Sequence, residues 1–268
     1  MPERILPGDS VAARYHEIAE DGVIERDAAQ EAIVLQLDAL NTAIANRRLA
    51  SKSSSLGWLF ARKSRDNDIL KGLYIVGSVG RGKTMLMDFF FRACPVKRKR
   101  RCQFHEFMAD VHDRIGAHRN AVKAGTAKGD DPIPPVAKAL AQEAYVLCFD
   151  EFAVSDIADA MILSRLFTAL FRENVVLVAT SNVAPDQLYK DGMNRSLFLP
   201  FVGLLKSYVD VVSLYAQRDY SLGRLESVKR YLIPLSLKTT TRMNAIWAKI
   251  TAGLDEKPTT IEVSGREI

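Results

Sequence analysis

Gly72-Leu73-Tyr74-Ile75-Val76-Gly77-Ser78-Val79-Gly80-Arg81-Gly82-Lys83-Thr84-Met85-Leu86-Met87-Asp88 is the most informative stretch of this chain. Leu73 to Val76 is a short apolar run of strand size. Gly77 to Thr84 then fits the pattern Gly-x-x-x-x-Gly-Lys-Ser/Thr, and Lys83 to Ala93 has helical texture. Average residue usage yields the pattern by chance on the order of once in a hundred chains of this length. The strand-loop-helix setting is the one its mechanism requires. Glycines let successive backbone N–H groups curl around phosphates, and the helix start adds the positive end of its dipole. Lys83 would reach the β and γ phosphates of ATP, and the Thr84 hydroxyl would ligate Mg²⁺. Gly77, Ser78, Val79, Gly80, Arg81, Gly82, Lys83 and Thr84 are thus the candidate nucleotide-binding residues. The plainer reading is a Gly-rich strand-to-helix turn.

Outward from this stretch, short β-branched or aromatic runs alternate with helical segments. Candidate strands are Leu73 to Val76, Cys102 to Phe104, Tyr145 to Phe149, Val175 to Ala179 and Val211 to Tyr215. Between them lie helical patterns near Lys83 to Ala93, Phe107 to Ala124, Pro135 to Glu143, Ser155 to Arg172 and Asn194 to Tyr208. This alternation predicts an α/β fold, a parallel sheet flanked by helices. Residues 11 to 49 read as helix, with Ile33, Val34, Leu37, Leu40 and Ile44 on one stripe. The polar stretch 50 to 56 reads as a loop. Past Ser221 the texture changes again, with a possible helix over Thr240 to Ile250 and strand-like alternation over Thr259 to Ile268. The expected organisation is an N-terminal helical region (1–66), an ATPase core (67–220) and the start of a further subdomain (221–268).

A second chemical signal is Val146-Leu147-Cys148-Phe149-Asp150-Glu151, an apolar strand ending in two acids where α/β proteins bind ligands. Asp150 would join the Mg²⁺ shell, and Glu151 would polarise an attacking water as general base. Alone, two acids after a strand often only cap the next helix. Val175 to Asn182 is a third strand with a polar end. There Asn182 would orient the water near the γ-phosphate, or simply make a turn. Arg195 is positioned to project into a neighbouring subunit's site and act on transition-state charge in trans; the alternative is a surface arginine. His105 and His112 share a helical face with Glu106 and Asp110, but match no standard ligand spacing, which favours structural roles.

Composition narrows the classes further. The chain has 268 residues, 26% charged and 48% hydrophobic, which excludes a disordered or collagen-like chain. Its longest apolar runs are strand-sized, far below the roughly 20 residues of a membrane-spanning helix. No secretory signal or transit peptide is expected at the N-terminus. The 3 cysteines form no paired or zinc-type spacing, which fits a reducing cytoplasm. Lys97-Arg98-Lys99-Arg100-Arg101 holds as much positive charge as the whole net of +5. Such a run can contact nucleic acid or form a solvated loop at the start of a strand.

Several strings together resemble the ZapE family of bacterial cell-division ATPases and their mitochondrial Afg/LACE-type relatives. They are 72–88, Phe104-His105-Glu106-Phe107-Met108, Cys148 to Phe152, Asp156 to Met161, Thr180-Ser181-Asn182 and Asn194 to Phe201, in order across about Tyr15 to Tyr220. The resemblance implies a P-loop NTPase core of the AAA+ type with five strands in the order 5-1-4-3-2. It implies that Asn182 matches the sensor-1 asparagine and that Arg195 is the best arginine-finger candidate. It further implies a homo-oligomeric Mg²⁺-dependent ATP hydrolase that modulates a tubulin-like division polymer, in the cytoplasm or at the division site. Ser78, Ala153 and Ser221 depart from the usual family residues. Family members also continue past position 268 with a helical lid, so the chain is expected to be shortened there. Two alternatives stand beside this: a nucleic-acid-associated ATPase of the helicase-loader type, suggested by Lys97 to Arg101, and a nucleotide-binding scaffold without hydrolysis.

Overall fold

The computed structural model describes residues 10–53, 69–214, 239–241, 243–244, 262–263 and 266–267. Contacts divide the chain into two compact units, residues 1–220 and 221–268. In the first unit the sheet contains β1 (Gly72–Gly77), β2 (Lys99–Gln103), β3 (Val146–Asp150), β4 (Val176–Ser181) and β5 (Val209–Leu214). All its pairings are parallel, in the order β2-β3-β4-β1-β5. Read from the other edge this is 5-1-4-3-2, the expected order. Helices α1 (Val11–Glu20), α2 (Ala28–Ser53), α3 (Lys83–Ala93), α4 (Phe104–Lys123), α5 (Ile133–Glu143), α6 (Ile157–Arg172) and α7 (Arg195–Tyr208) complete it.

The central strands are buried on both faces, so side-chain alternation sorts residues between two cores rather than between core and water. Tyr74, Val76, Leu147, Phe149, Leu177 and Ala179 point to one core, shared with α4 to α7. Its centre is a phenylalanine cluster: Phe107, Phe149, Phe152, Phe167 and Phe201 are each at most 1% exposed, and Phe152 and Phe201 lie stacked. Leu73, Ile75, Val146, Cys148, Val176 and Val178 point to the other core, where Val11, Tyr15, Ile33, Leu37 and Ile44 of α1 and α2 meet Leu86, Met87 and Phe90 of α3. The N-terminal helices therefore cover one sheet face and share a core with the residues read as the ATPase domain.

Several sequence expectations change. The helix over 11 to 49 is two helices, broken at Asp21 and Gly22, where Gly22 takes a φ of 71°. Asp27 starts the second by accepting the N–H of Ala29 at 2.8 Å. The second strand begins at Lys99 and not at Cys102, because Lys99, Arg100 and Arg101 each find partners within the fold. Lys99 donates to the carbonyls of Phe91 (2.6 Å) and Cys94 (2.8 Å) at the end of α3, and Arg100 meets Asp110 at 2.5 Å. Arg101 bonds Asp88 and, at 3.3 Å, Asp150. As a nucleic-acid surface the run is reduced to the exposed Lys97 and Arg98. In the second unit, β6 (Glu262–Val263) and β7 (Arg266–Glu267) pair antiparallel, two short strands where one was expected. The expected loop over 50–56 is helix as far as Ser53, where α2 ends, and the rest of it, most of the expected helix over 240 to 250 and the end of the expected strand at Tyr215 lie outside the described residues.

Candidate functional site

The carboxyl ends of β1, β3 and β4 converge, and the candidate residues hang from them. Gly77 closes β1, and the loop that follows reaches α3 through Gly80 and Gly82, at φ 76° and 78°. Those left-handed values would cost other residues about 1–2 kcal/mol each. Helix α3 starts without a side-chain cap, whereas Ser10 caps α1 and Asp156 caps α6. Its first N–H groups therefore stay available to an anion. Lys83 is buried, and its ammonium donates to the carbonyls of Gly77 (2.8 Å) and Ser78 (2.7 Å) and to Oδ1 of Asn182 (2.9 Å). Desolvation pulls the Lys83 pKa below the usual lysine range, opposed by Asp150 and then Glu151. Ser78, Val79 and Thr84 are exposed beside it.

Asp150, 3% exposed, ends β3 and ties the elements together. Its Oδ1 accepts from the Thr84 hydroxyl (3.0 Å), the Thr180 hydroxyl (2.5 Å) and the Glu151 N–H (3.2 Å). Its Oδ2 accepts from Arg101 at 3.3 Å. Glu151 is exposed and left-handed at φ 52°, a conformation that costs a residue with a Cβ. The turn is held from β4: Thr180 Oγ1 accepts the Glu151 N–H at 3.2 Å, and its carbonyl accepts the Phe152 N–H at 2.7 Å. Ser181 Oγ adds a bond to the Phe152 carbonyl at 2.7 Å. The Thr84 hydroxyl and Asp150 carboxylate are hard oxygen donors, few in number and adjacent. That set fits Mg²⁺, which keeps several waters and takes one or two protein oxygens beside phosphate.

The structure thus brings together two adjacent hydrogen-bonded pairs, Lys83 with Asn182 and Thr84 with Asp150, and Glu151 stands at the edge of the second. Arg195 is outside this network. It opens α7, donates from Nη2 to the Asp186 carbonyl at 2.6 Å, and buries an Nε that has no partner among the described residues. The two histidines read as structural also lie elsewhere: His105 is in the first turn of α4, and His112 bonds Asp159 of α6 at 2.7 Å.

Three contributors were not legible in sequence. Thr180 was visible only as a polar strand end. Arg101 was hidden in a charge run, and only strand pairing sets it beside Asp150. The third is the contact of Asp27 and Gln30 with Arg81, across 54 and 51 positions, which no local pattern announces.

Comparison with known proteins adds the following. A family described as AFG1-like ATPase matches residues 10–268. The cell division protein ZapE of Escherichia coli K12 is 36% identical over 262 residues, spanning 96% of this chain and 68% of that protein. Lactation elevated protein 1 homolog B of Danio rerio is 42% identical over 204 residues, spanning 74% of this chain and 41% of its own length. Among solved structures, a crystal structure of DnaI superposes with a TM-score of 0.46 at 14% identity, over 74% of this chain and 93% of that one.

Proposed function

The chain belongs to the AFG1-like ATPase family, and we propose that this ATP hydrolase works at the converging ends of β1, β3 and β4. The N–H groups from Gly80 to Thr84 and the Lys83 ammonium hold the phosphates of ATP. Thr84 and Asp150 hold Mg²⁺, which when bound spreads the negative charge that builds on the phosphates. Glu151, exposed at the end of β3, takes a proton from a water. The water oxygen bonds to the γ-phosphorus as the bond to the bridging oxygen breaks, leaving ADP and phosphate. Asn182 orients that water. Its bond to Lys83 makes the two residues answer together to an arriving phosphate. Arg195 acts from a neighbouring copy of the chain.

The observation that carries this reading is the 3.0 Å hydrogen bond from Thr84 to Asp150, which joins the phosphate loop to the acidic strand end. The test is Mg²⁺-dependent ATP turnover across protein concentration, with Glu151→Gln as control. Specific activity that rises with concentration and is lost in the variant, while ATP binding persists, is the expected result. Turnover by Glu151→Gln at the wild-type rate would sink the role of Glu151.

For the partner, we take the direction given by the relative named as a cell division protein. Hydrolysis is coupled to remodelling a tubulin-like division polymer. The engagement of Lys99, Arg100 and Arg101 within the fold makes a nucleic-acid partner the weaker choice. Sedimentation of such a polymer with the chain, with and without ATP, tests this; polymer mass indifferent to the chain and its nucleotide would end the proposal.

A further inference from the structure

The phosphate loop is gripped from outside by the N-terminal helices. The Arg81 side chain is 1% exposed, and its Nη2 meets Oδ2 of Asp27 at 2.6 Å; the Asp27 side chain is 9% exposed. The other oxygen of Asp27 accepts from the first turn of α2, the N–H groups of Ala29 (2.8 Å) and Gln30 (3.4 Å). Its own N–H donates to the Tyr15 hydroxyl at 3.0 Å, and Tyr15 is fully buried in α1. A second contact goes to the loop backbone. Gln30, 3% exposed, donates from Nε2 to the Arg81 carbonyl at 3.0 Å.

That second bond has a directional consequence. In a planar trans peptide the carbonyl and the N–H of the next residue point opposite ways. By pulling the Arg81 carbonyl toward α2, Gln30 turns the Gly82 N–H away from α2. The approach is close: a Cβ on Gly82 would lie 2.9 Å from Gln30 Nε2. A buried ion pair alone would only dock a helix on the core. Here one helical turn holds both the side chain and the carbonyl of the same loop residue, immediately before Gly82 and Lys83.

We propose that the first turn of α2 is a positioning element of the nucleotide site. Asp27 and Gln30 set the phosphate loop through Arg81, so displacing the N-terminal helices lowers affinity for ATP. The proposal rests on residues 77–84 being the phosphate loop. It makes the face of the molecule built by α1 and α2 a place from which a binding event can be read at the nucleotide.

The test titrates ATP with Mg²⁺ into the full chain and into the variants Gln30→Met, Asp27→Asn and Lys83→Ala, well below each melting temperature. Met keeps the length of Gln30 and removes the donor; Asn keeps the cap oxygen and removes the charge. Expected are a Kd about fivefold weaker for Gln30→Met and about tenfold weaker for Asp27→Asn, with KM raised in step and kcat unchanged. A merely structural role would lower the melting temperature and leave Kd alone, which overturns the proposal. Loss of ATP binding in Lys83→Ala with wild-type Kd in Gln30→Met also refutes the positioning role while sparing the site. If Lys83→Ala binds ATP as well as wild type, the loop reading itself fails. Should the variants not fold, amide hydrogen exchange on the wild-type chain decides. By linkage, ATP must slow exchange in residues 28–33, and exchange there that ignores ATP overturns the proposal.

Discussion

Replacing Thr180 by valine removes one hydroxyl, nearly keeps the side-chain volume, and tests the construction of the site at a residue with no assigned chemistry. Thr180 is 1% exposed and sits at the end of β4. Its hydroxyl donates to Asp150 at 2.5 Å and accepts the N–H of left-handed Glu151 at 3.2 Å. A hydrogen bond to a carboxylate contributes about 1.5–3 kcal/mol. Asp150 keeps Thr84, Arg101 and the Glu151 N–H, so the loss falls near the lower part of that range, about 2 kcal/mol. For a unit of this size that corresponds to about 4–8 °C in melting temperature. The functional effect is larger relative to the cause. The Glu151 conformation costs about 1–3 kcal/mol and is sustained by its surroundings. Loosening it by about 1.4 kcal/mol shifts the equilibrium toward a relaxed orientation about tenfold, so a strained turn that is only marginally held keeps roughly a tenth of the molecules with Glu151 in its working orientation. The phosphate loop itself is untouched. Thr180→Val should therefore lower kcat about tenfold and leave the Kd for ATP within about twofold, with Thr180→Ser close to wild type. Steady-state turnover, ATP titration and thermal melting on the three proteins measure this. A lower melting temperature with unchanged kcat would show that Thr180 only packs the strand end, and a weakened Kd would show that the hydroxyl supports the loop instead.

Two further predictions concern charge. Burial lowers the Lys83 pKa in the ligand-free chain, whereas bound phosphates favour its ammonium form. Above its ligand-free pKa, ATP binding must take up a proton, and affinity falls by about a factor of ten per pH unit. The stability of the ligand-free chain runs the other way. Between the lowered folded value and the ordinary 10.5, the unfolded chain binds the proton and the folded one does not, so the Lys83 contribution to stability rises with pH. Calorimetric titration in buffers of different ionisation heat detects the proton, and its absence on the alkaline side would contradict the assignment of Lys83. Arg195→Ala should retain ATP binding and lose turnover on the order of a thousandfold, since an arginine acting in trans stabilises only the transition state. Normal turnover in that variant, at concentrations where copies associate, would remove Arg195 from the mechanism.

The parts of this molecule that depend on near neighbours in the chain were legible before any coordinates. The span from Gly77 to Thr84 announces a strand-loop-helix turn because its glycines and its lysine lie within eight consecutive residues. The core strands were recognisable as short β-branched runs, although the true ends differ by one to three residues. Asp150 and Glu151 were legible for the same reason, two acids where an apolar run stops. Asp21-Gly22 is also a local break signal, masked by the regular apolar stripe that follows it.

What the chain order cannot hold is pairing at a distance. Lys97 to Arg101 is a charge run in sequence, and only the parallel pairing of β2 with β3 places Arg101 against Asp150, with Asp88 of α3 as its second partner. Thr180 becomes the brace of Glu151 because β3 and β4 are neighbours in the sheet. Asp27 and Gln30 reach Arg81 because α2 packs beside α3 on one sheet face. Local spacing encodes which chemistry is present, since a phosphate loop or a strand end is built from consecutive residues. Tertiary structure decides which groups restrain that chemistry, because a buried charge or a strained turn is stabilised by whatever the fold carries to it.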